Sequence, residues 1–505
     1  MNRNIVFITF YDTICIGLRL LSAISKKYGF NPHIIFVKKE SYFPIIKEKN
    51  EYKSYQFIYN GLRWGSCYAA SSITEKEKNL LIQQIDELKP AFIGLSTRTF
   101  AKEICREIFP KVKNNFPEIP LIGGGWGPTL EPEVFLEFCD YVCFGEGEAT
   151  IQHLCSAVCE GRKFSEVPNL IYYNNEKLTH NQYLPPLTVE EINSLPHPDY
   201  STLNNCLIDK DRIWEGKEFN NNSVYDIFAA RGCPLNCSYC LSSKYSMLYK
   251  EKTGIKCPKY RLKDFHVFMD ELRTAKKLGA RYIRIKDEVF PIRPSWIDKF
   301  IDMYSKEIGL PFFAYIRPEF HHPDTLKKLK EAGLKVTVVG IQSGCENTLK
   351  DIYFRKLSKP KIVNFSKTLK DLNIDFFYHF IYGNPFETEK HLVESYEFTF
   401  QLPFAKSMFF KLEPHPLTPI SKMIDEQKPV GVDPKISEWF AMLHSLSLMN
   451  RPLRKISGWI YKKRIFQSHP RFLSVLFIPY IVKETIDYIN KKIKLKAHSV
   501  NVVPD

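Results

Sequence analysis

Ala229-Ala230-Arg231-Gly232-Cys233-Pro234-Leu235-Asn236-Cys237-Ser238-Tyr239-Cys240 places three cysteines at C-x3-C-x2-C spacing, directly after the apolar run Val224 to Ala229. Three thiolates held by one short loop bind a soft metal centre. An iron–sulfur cube normally takes four cysteines, so three leave one iron open to a further ligand. Gly232 and Pro234 make the loop irregular, which suits backbone amides wrapped round a cluster. A structural zinc site would need a fourth ligand, usually from a second C-x2-C knuckle. The nearest candidate, Cys257, stands 17 residues on without a paired partner.

The chain has 505 residues, which predicts two or three domains. Its hydrophobic content of 44% is enough for packed cores and excludes a disordered chain. A net charge of +15 favours anionic partners, or else reflects a generally lysine-rich composition. The 13 cysteines are an odd number. Met1-Asn2-Arg3-Asn4 runs straight into the strand-like Ile5-Val6-Phe7-Ile8, with no secretory pattern. Reduced cytosol and metal ligation are therefore expected rather than a disulfide framework. No run of 18 apolar residues occurs, so no membrane-spanning helix is predicted.

Residues 1–160 alternate short apolar runs with amphipathic stretches. Predicted strands are Ile5–Phe10, His33–Val37, Ala91–Ser96, Pro120–Gly123 and Tyr141–Cys143. A helix opens with the capping box Thr74-Glu75-Lys76-Glu77 and stops at Pro90. Such alternation predicts an open parallel sheet with its ligand at the strand carboxyl ends. Two strand ends fit: Ser96-Thr97-Arg98-Thr99 and Gly123-Gly124-Gly125-Trp126-Gly127-Pro128. Glycines allow a large ligand to approach the backbone, though they also serve tight turns. Residues 161–222, rich in charges, Asn and Pro, are expected to be a connector, with a short hairpin strand at Asn169–Tyr173 and a Pro-spaced segment at Leu195–Tyr200.

After the cysteines, strand and helix signals repeat. Predicted strands are Tyr282–Lys286, Phe312–Tyr315, Val336–Gly340, Phe376–Tyr382 and Met408–Leu412, with a helical stretch across Asn347–Leu372. With the run before Cys233 that makes six β units over residues 223–413, a partial (β/α)6 TIM-type barrel with its site at the strand carboxyl ends. Those ends carry Asp287 and Glu288, Arg317, and Gln342 with Ser343. Arginine suits bidentate contact with a carboxylate.

Several motifs resemble the radical S-adenosylmethionine (SAM) enzymes that carry a cobalamin (B12)-binding domain. The cysteine string with Tyr239 before its last cysteine resembles the radical SAM signature. Ile122-Gly-Gly-Gly-Trp-Gly-Pro-Thr-Leu-Glu-Pro-Glu133 and Asp140-Tyr-Val-Cys-Phe-Gly-Glu-Gly-Glu148 resemble the cobalamin domain. Gly340-Ile341-Gln342-Ser343-Gly344 is similar to Gly-x-Glu-Ser-Gly, with Gln for Glu. Tyr382-Gly383-Asn384-Pro385-Phe386-Glu387-Thr388 is similar to Gly-x-Pro-Gly-Glu-Thr, with Phe386 for the second glycine. Together these span about four fifths of the chain.

The resemblance implies an α/β chain: a Rossmann-like, flavodoxin-like cobalamin domain over 1–160, a connector over 161–222, the barrel over 223–413 and a mostly α-helical region over 414–505. It implies a [4Fe-4S] cluster on Cys233, Cys237 and Cys240. SAM would sit on the open iron beside Tyr239, Asp287, Glu288, Arg317, Gln342 and Ser343. Cobalamin would lie near Ser96, Thr97, Gly123, Gly124, Gly125 and Glu146. Where many cobalamin proteins have Asp-x-His-x-x-Gly, this chain has Asp12-Thr13-Ile14-Cys15-Ile16-Gly17, and Ile14 cannot coordinate cobalt.

The activity implied is reductive cleavage of SAM to a 5′-deoxyadenosyl radical, with methylcobalamin methylating an unactivated carbon. Cyclisation or rearrangement without methyl transfer, and a non-catalytic sensor or assembly role, are the alternatives. A flavodoxin- or ferredoxin-type electron donor and a small-molecule or lipid-like substrate are expected; nucleic acid is not. In the tail, Trp439–Leu448 and Phe472–Ile489 are predicted helices flanked by Lys462, Lys463, Arg464, Arg471, Lys483, Lys491 and Lys492. They suit packing on the barrel or, for a cytoplasmic protein, peripheral contact with a membrane.

Overall fold

The computed structural model describes residues 3–39, 42–44, 56–59, 62–66, 73–98, 101–216, 223–242, 244–290, 292–415 and 417–463. They divide into two compact units. The first is drawn from 1–41, 66–222 and 249–258, the second from 42–65, 223–248 and 259 onward.

In the first unit the apolar runs become parallel strands because each is buried on both faces. Asn4–Tyr11, buried from Ile5 onward, lies between Asn31–Lys39 and Ile93–Ser96. Leu121–Gly124 and Tyr141–Cys143 continue the sheet beyond Ile93–Ser96. The order of these five strands is 2-1-3-4-5, the doubly wound flavodoxin-like arrangement. Ile5, Phe7, Ile34, Phe36, Phe92 and Ile122 belong to its core. The helix Glu75–Leu88 starts where the sequence places it. Thr74 Oγ1 accepts the Glu77 N–H at 3.2 Å, and Glu77 Oε2 accepts the Thr74 N–H at 2.9 Å.

Residues 161–222 are not a bare connector. The hairpin Leu170–Asn174 and Lys177–His180 covers one edge of this sheet. Asn205–Asp209 pairs in parallel beside Asn31–Lys39, and Arg212–Glu215 closes the other edge. These strands are short and polar at their ends, so their periodicity is faint. They form because an open parallel sheet leaves unpaired backbone groups at both edges.

The second unit holds six parallel strands in chain order: Val224–Ile227, Tyr282–Ile285, Phe312–Ala314, Leu334–Gln342, Asp375–Tyr382 and Lys406–Lys411. Helices Pro294–Met303, Pro323–Ala332, Lys359–Asp371 and Glu389–Thr399 fall between them. The helical stretch expected across Asn347–Leu372 is two elements, a π turn Thr348–Ile352 and the helix Lys359–Asp371. Pro360, which has no N–H, sits in the first turn of the second, where none is needed. One feature has no counterpart in the sequence reading. Gln56–Tyr59 pairs antiparallel with Lys406–Lys411, and Leu62–Ser66 and Tyr42–Pro44 extend that edge.

The apolar stretch Trp439–Leu448 lies in the helix Pro434–Met449 and is buried throughout. A helix apolar on every side belongs inside a core. Its His444 ring centroid is 5.6 Å from that of Phe409, which stacks on Phe380 at 4.6 Å. The tail helix predicted at Phe472–Ile489, with Arg464, Arg471, Lys483, Lys491 and Lys492, lies outside the described residues. Among the described residues no helix is long and apolar enough to cross a membrane.

Candidate functional site

The cysteine loop is held from several sides. Ala230–Gly232 pairs antiparallel with Tyr260–Leu262, so the loop leaves from a two-stranded ribbon. At Gly232, φ is 81° and an added Cβ would lie 2.2 Å from the Lys259 carbonyl oxygen. No other residue fits there. Further on, Lys259 Nζ donates to Asn236 Oδ1 at 2.7 Å. The Ser238 N–H donates to the Tyr353 carbonyl at 3.2 Å, and the Ser238 carbonyl accepts the Ile420 N–H at 3.2 Å.

Cys233 and Cys237 are buried and Cys240 is partly exposed. Burial pushes the Cys233 thiol up to about 11, with the nearby Cys240 adding to the rise and Arg317 opposing it. Burial thus favours the neutral thiol where no cation stands beside the sulfur. Among the described residues no three His, Cys, Asp or Glu side chains converge as ligands of a single ion do. Each cysteine of a cubane binds a different iron, so cubane ligands stand further apart than ligands of one ion. The donor set fits a cluster: three sulfurs, with Arg317 Nη2 at 4.0 Å from Cys237 Sγ. Arg317 Nε and Glu319 Oε2 are buried without a hydrogen-bond partner. Gln342 joins this group, since a Cβ on Gly340 would meet Gln342 Nε2 at 2.9 Å and Arg317 Nη1 at 3.7 Å. Gln342 has φ 73°, at an irregularity between Gly340 and Gln342 in its strand pairing.

The other residues expected at SAM lie differently. Asp287 is buried, and its two oxygens accept the N–H groups of Ala229 at 2.9 Å and Ala230 at 2.5 Å. Its carboxyl therefore anchors the start of the cysteine loop. Burial lifts it to about 7, against the pull of those same amides. Glu288 is exposed and accepts from Ser242 Oγ at 2.8 Å. Ser343 donates to Glu387 Oε1 at 3.1 Å, lies 3.1 Å from Ser395 Oγ and accepts the Cys345 N–H at 3.2 Å. Its hydroxyl is thus committed within the fold. Tyr239 packs edge-on against Tyr353 with centroids 5.0 Å apart. Glu319, Tyr353 and Arg355 carry no local signal in the sequence, because no spacing marks loop residues that meet only in the folded chain.

Glu387 gives a pH signature. Burial lifts its carboxyl to about 7, with the Ser343 and Thr348 hydroxyls opposing. The folded state holds this proton more tightly than the unfolded chain does. The stability it contributes is present below the ordinary carboxylate range and is lost as pH rises through about 7. Thermal melts of E387Q should show a flatter dependence between pH 5 and 8 than wild type. Equal slopes would exclude Glu387 as the titrating group.

In the first unit, Cys15, Ser96 and Gly125 meet at the carboxyl ends of adjacent strands. Cys15 Sγ is 3.9 Å from Ser96 Oγ. A Cβ on Gly125, whose φ is 93°, would lie 2.9 Å from the Thr97 carbonyl oxygen and 3.4 Å from Ser96 Oγ. Gly125 is thus required by the chain's own turn. Gly123 packs against Cys139. At Gly124 the nearest atoms that an added Cβ would meet among the described residues, on Cys143 and Leu95, lie at 3.9 Å. The protein itself does not demand glycine there, which fits the approach of a ligand. Glu146 Oε2 accepts the Leu187 N–H at 3.0 Å, tying its loop to that residue rather than leaving this oxygen for a corrin.

The loop with Ile14 is preformed. Asp12 Oδ1 accepts the N–H groups of Ile14 and Cys15 at 3.0 and 2.8 Å. Buried Arg19 donates to the Ile14 and Thr13 carbonyls at 2.6 and 3.1 Å. Burial pushes the Cys15 thiol up to about 11, so at neutral pH it stays protonated.

Residues 227–399 match the Radical SAM superfamily and residues 73–155 match the B12 binding domain. An uncharacterized methyltransferase of Pyrococcus horikoshii is 26% identical over 70% of this chain and 76% of its own length. An anaerobic magnesium-protoporphyrin IX monomethyl ester cyclase of Cereibacter sphaeroides is 22% identical over 69% of this chain; the match spans 55% of that relative. The fold resembles that of the radical SAM methyltransferase TsrM of Kitasatospora setae, solved with cobalamin and a [4Fe-4S] cluster. The TM-score is 0.59 at 16% identity, over 85% of this chain and 78% of the other.

Proposed function

We propose that this chain, which belongs to the radical SAM enzymes carrying a B12-binding domain, methylates an unactivated carbon of a small or lipid-like molecule. The observation that carries this is the Cys233–Cys240 loop, with Cys233 and Cys237 buried and Arg317 at 4.0 Å from Cys237 Sγ, in a chain that also holds the B12 module. When bound, the cluster and SAM supply a 5′-deoxyadenosyl radical and cobalamin supplies the methyl group.

The chain's residues then have distinct tasks. Cys233, Cys237 and Cys240 would hold the cluster. Asp287 fixes the start of their loop through two backbone amides. Arg317 and Gln342, adjacent over Gly340, present a cation and an amide to the SAM carboxylate. Ser96 and Gly124 line the approach of the cobalamin tail. Ile14 would provide no ligand to cobalt from this loop. An electron from a flavodoxin- or ferredoxin-type donor starts each turnover.

The cyclase relative favours a second reading, ring formation without methyl transfer. SAM carrying a CD3 group separates the two. Methylation should place the label in the product, and an unlabelled product would overturn the methyltransferase reading. Reconstitution with cobalamin should leave corrin absorbance bound to the protein after desalting. Its absence would remove cobalamin from the proposal.

A further inference from the structure

Arg355 lies between the π turn Thr348–Ile352 and the helix Lys359–Asp371, with its side chain 1% exposed. A guanidinium is rarely so buried unless it is paired. Its Nη1 donates to the carbonyls of Gly340 at 2.5 Å and Ile341 at 3.1 Å. These carbonyls border the strand irregularity that turns Gln342 to φ 73°. Its Nη2 donates to Glu319 Oε1 at 2.5 Å. The same carboxylate oxygen lies 3.6 Å from Arg317 Nη2, the group that stands 4.0 Å from Cys237 Sγ. The chain Arg355–Glu319–Arg317–Cys237 is thus continuous, and its first three members are buried or nearly so.

The geometry points to Arg355 as a positioning residue that raises the reduction potential of the cluster on Cys233, Cys237 and Cys240, acting through Glu319 and Arg317. This rests on the cluster reading of the cysteine triplet. Two guanidiniums and one carboxylate leave one net positive charge beside an anionic cluster. One-electron reduction makes that cluster more negative, so a nearby cation stabilises the reduced form more than the oxidised one. Burial keeps the field from being screened by solvent and salt. Charge and hydrogen bonding around a cluster are recognised levers on its potential. Without Glu319, Arg355 would be an isolated buried charge. Without Arg355, Glu319 would pair with Arg317 alone and cancel the charge facing Cys237.

Opposite signs follow for the two partners. The test is an anaerobic redox titration of the reconstituted full-length protein, followed by EPR of the reduced cluster. At a fixed ambient potential, R355M should lower the ratio of reduced to oxidised cluster roughly three- to tenfold, tenfold being 59 mV for one electron. E319Q should raise the ratio, R355K should recover most of the wild-type value, and the double variant R355M/E319Q should lie near wild type. Should R355M take up no iron, E319Q and R355K decide. An E319Q potential that is unmoved, or shifted in the same direction as R355M, overturns the proposal. A wild-type protein that binds iron without an EPR signal of a reducible cluster would overturn the cluster reading, and this proposal with it.

Discussion

Replacing Cys237 with alanine should leave a folded protein that forms no 5′-deoxyadenosine from SAM. The rate should fall by at least about a thousandfold, the equivalent of ~4 kcal/mol of barrier. Cys237 is buried beside Arg317, and no other cysteine occupies the short loop between Pro234 and Tyr239 to replace it. Removing its sulfur would leave a cube with two protein ligands and Arg317 paired with Glu319 alone. Iron content after anaerobic reconstitution and 5′-deoxyadenosine by mass spectrometry are the two measurements. Cys257→Ala is the control, since Cys257 is the nearest cysteine outside the triplet and the fourth ligand a zinc site would require. C257A should keep its iron and its SAM cleavage. A C237A protein that cleaves SAM at the wild-type rate would remove the cysteine triplet from the reaction. Zinc binding by wild type that C257A abolishes would favour the zinc site.

Gly232→Ala should be nearly as damaging, and for a backbone reason. The φ of 81° lies in the left-handed region, where a residue other than glycine costs on the order of 1–3 kcal/mol. The new Cβ would also press to 2.2 Å from the Lys259 carbonyl oxygen, a backbone atom that cannot swing aside. Relief requires the ribbon Ala230–Gly232 and Tyr260–Leu262 to part, which moves Cys233 directly. The expected outcome is a loss of about 2–4 kcal/mol in urea unfolding, together with iron uptake well below wild type. Gly254→Ala, at φ 73° with no atom of the described residues beyond its chain neighbours within 4 Å of the added Cβ, isolates the strain from the clash. If G232A binds iron as wild type does, the ribbon is not what holds the cysteine loop.

Much of the barrel was legible because its strands are apolar runs bounded by turn residues, a pattern that survives without tertiary context. Val224–Ile227, Phe312–Ala314 and Asp375–Tyr382 fall within a residue or two of their expected limits. The strands Asn205–Asp209 and Arg212–Glu215 towards one edge of the first sheet were not legible, because such strands are defined by the sheet they complete. The same holds for Gln56–Tyr59, whose partner Met408–Phe410 lies in the distant half of the sequence. At the site, residue type was a good guide to location and a poor guide to task. Asp287 and Ser343 stand at strand ends, as predicted, yet their hydrogen-bonding groups are taken by Ala229 and Ala230 and by Glu387 and Ser395.

The sequence by itself determined the cysteine triplet, the alternation of strands and helices and the polar residues at the strand ends, because each is a local matter of spacing and side-chain chemistry. Only the tertiary structure decided which polar groups remain available. Hydrogen bonds are exclusive: a carboxylate that accepts two backbone amides in a buried site has less left to offer a cofactor. Which carboxylate that is depends on strand register, so Asp287 anchors the loop. The fold likewise brings Arg355 and the neighbouring Glu319 and Arg317 into one line leading to Cys237, from stretches far apart in the chain.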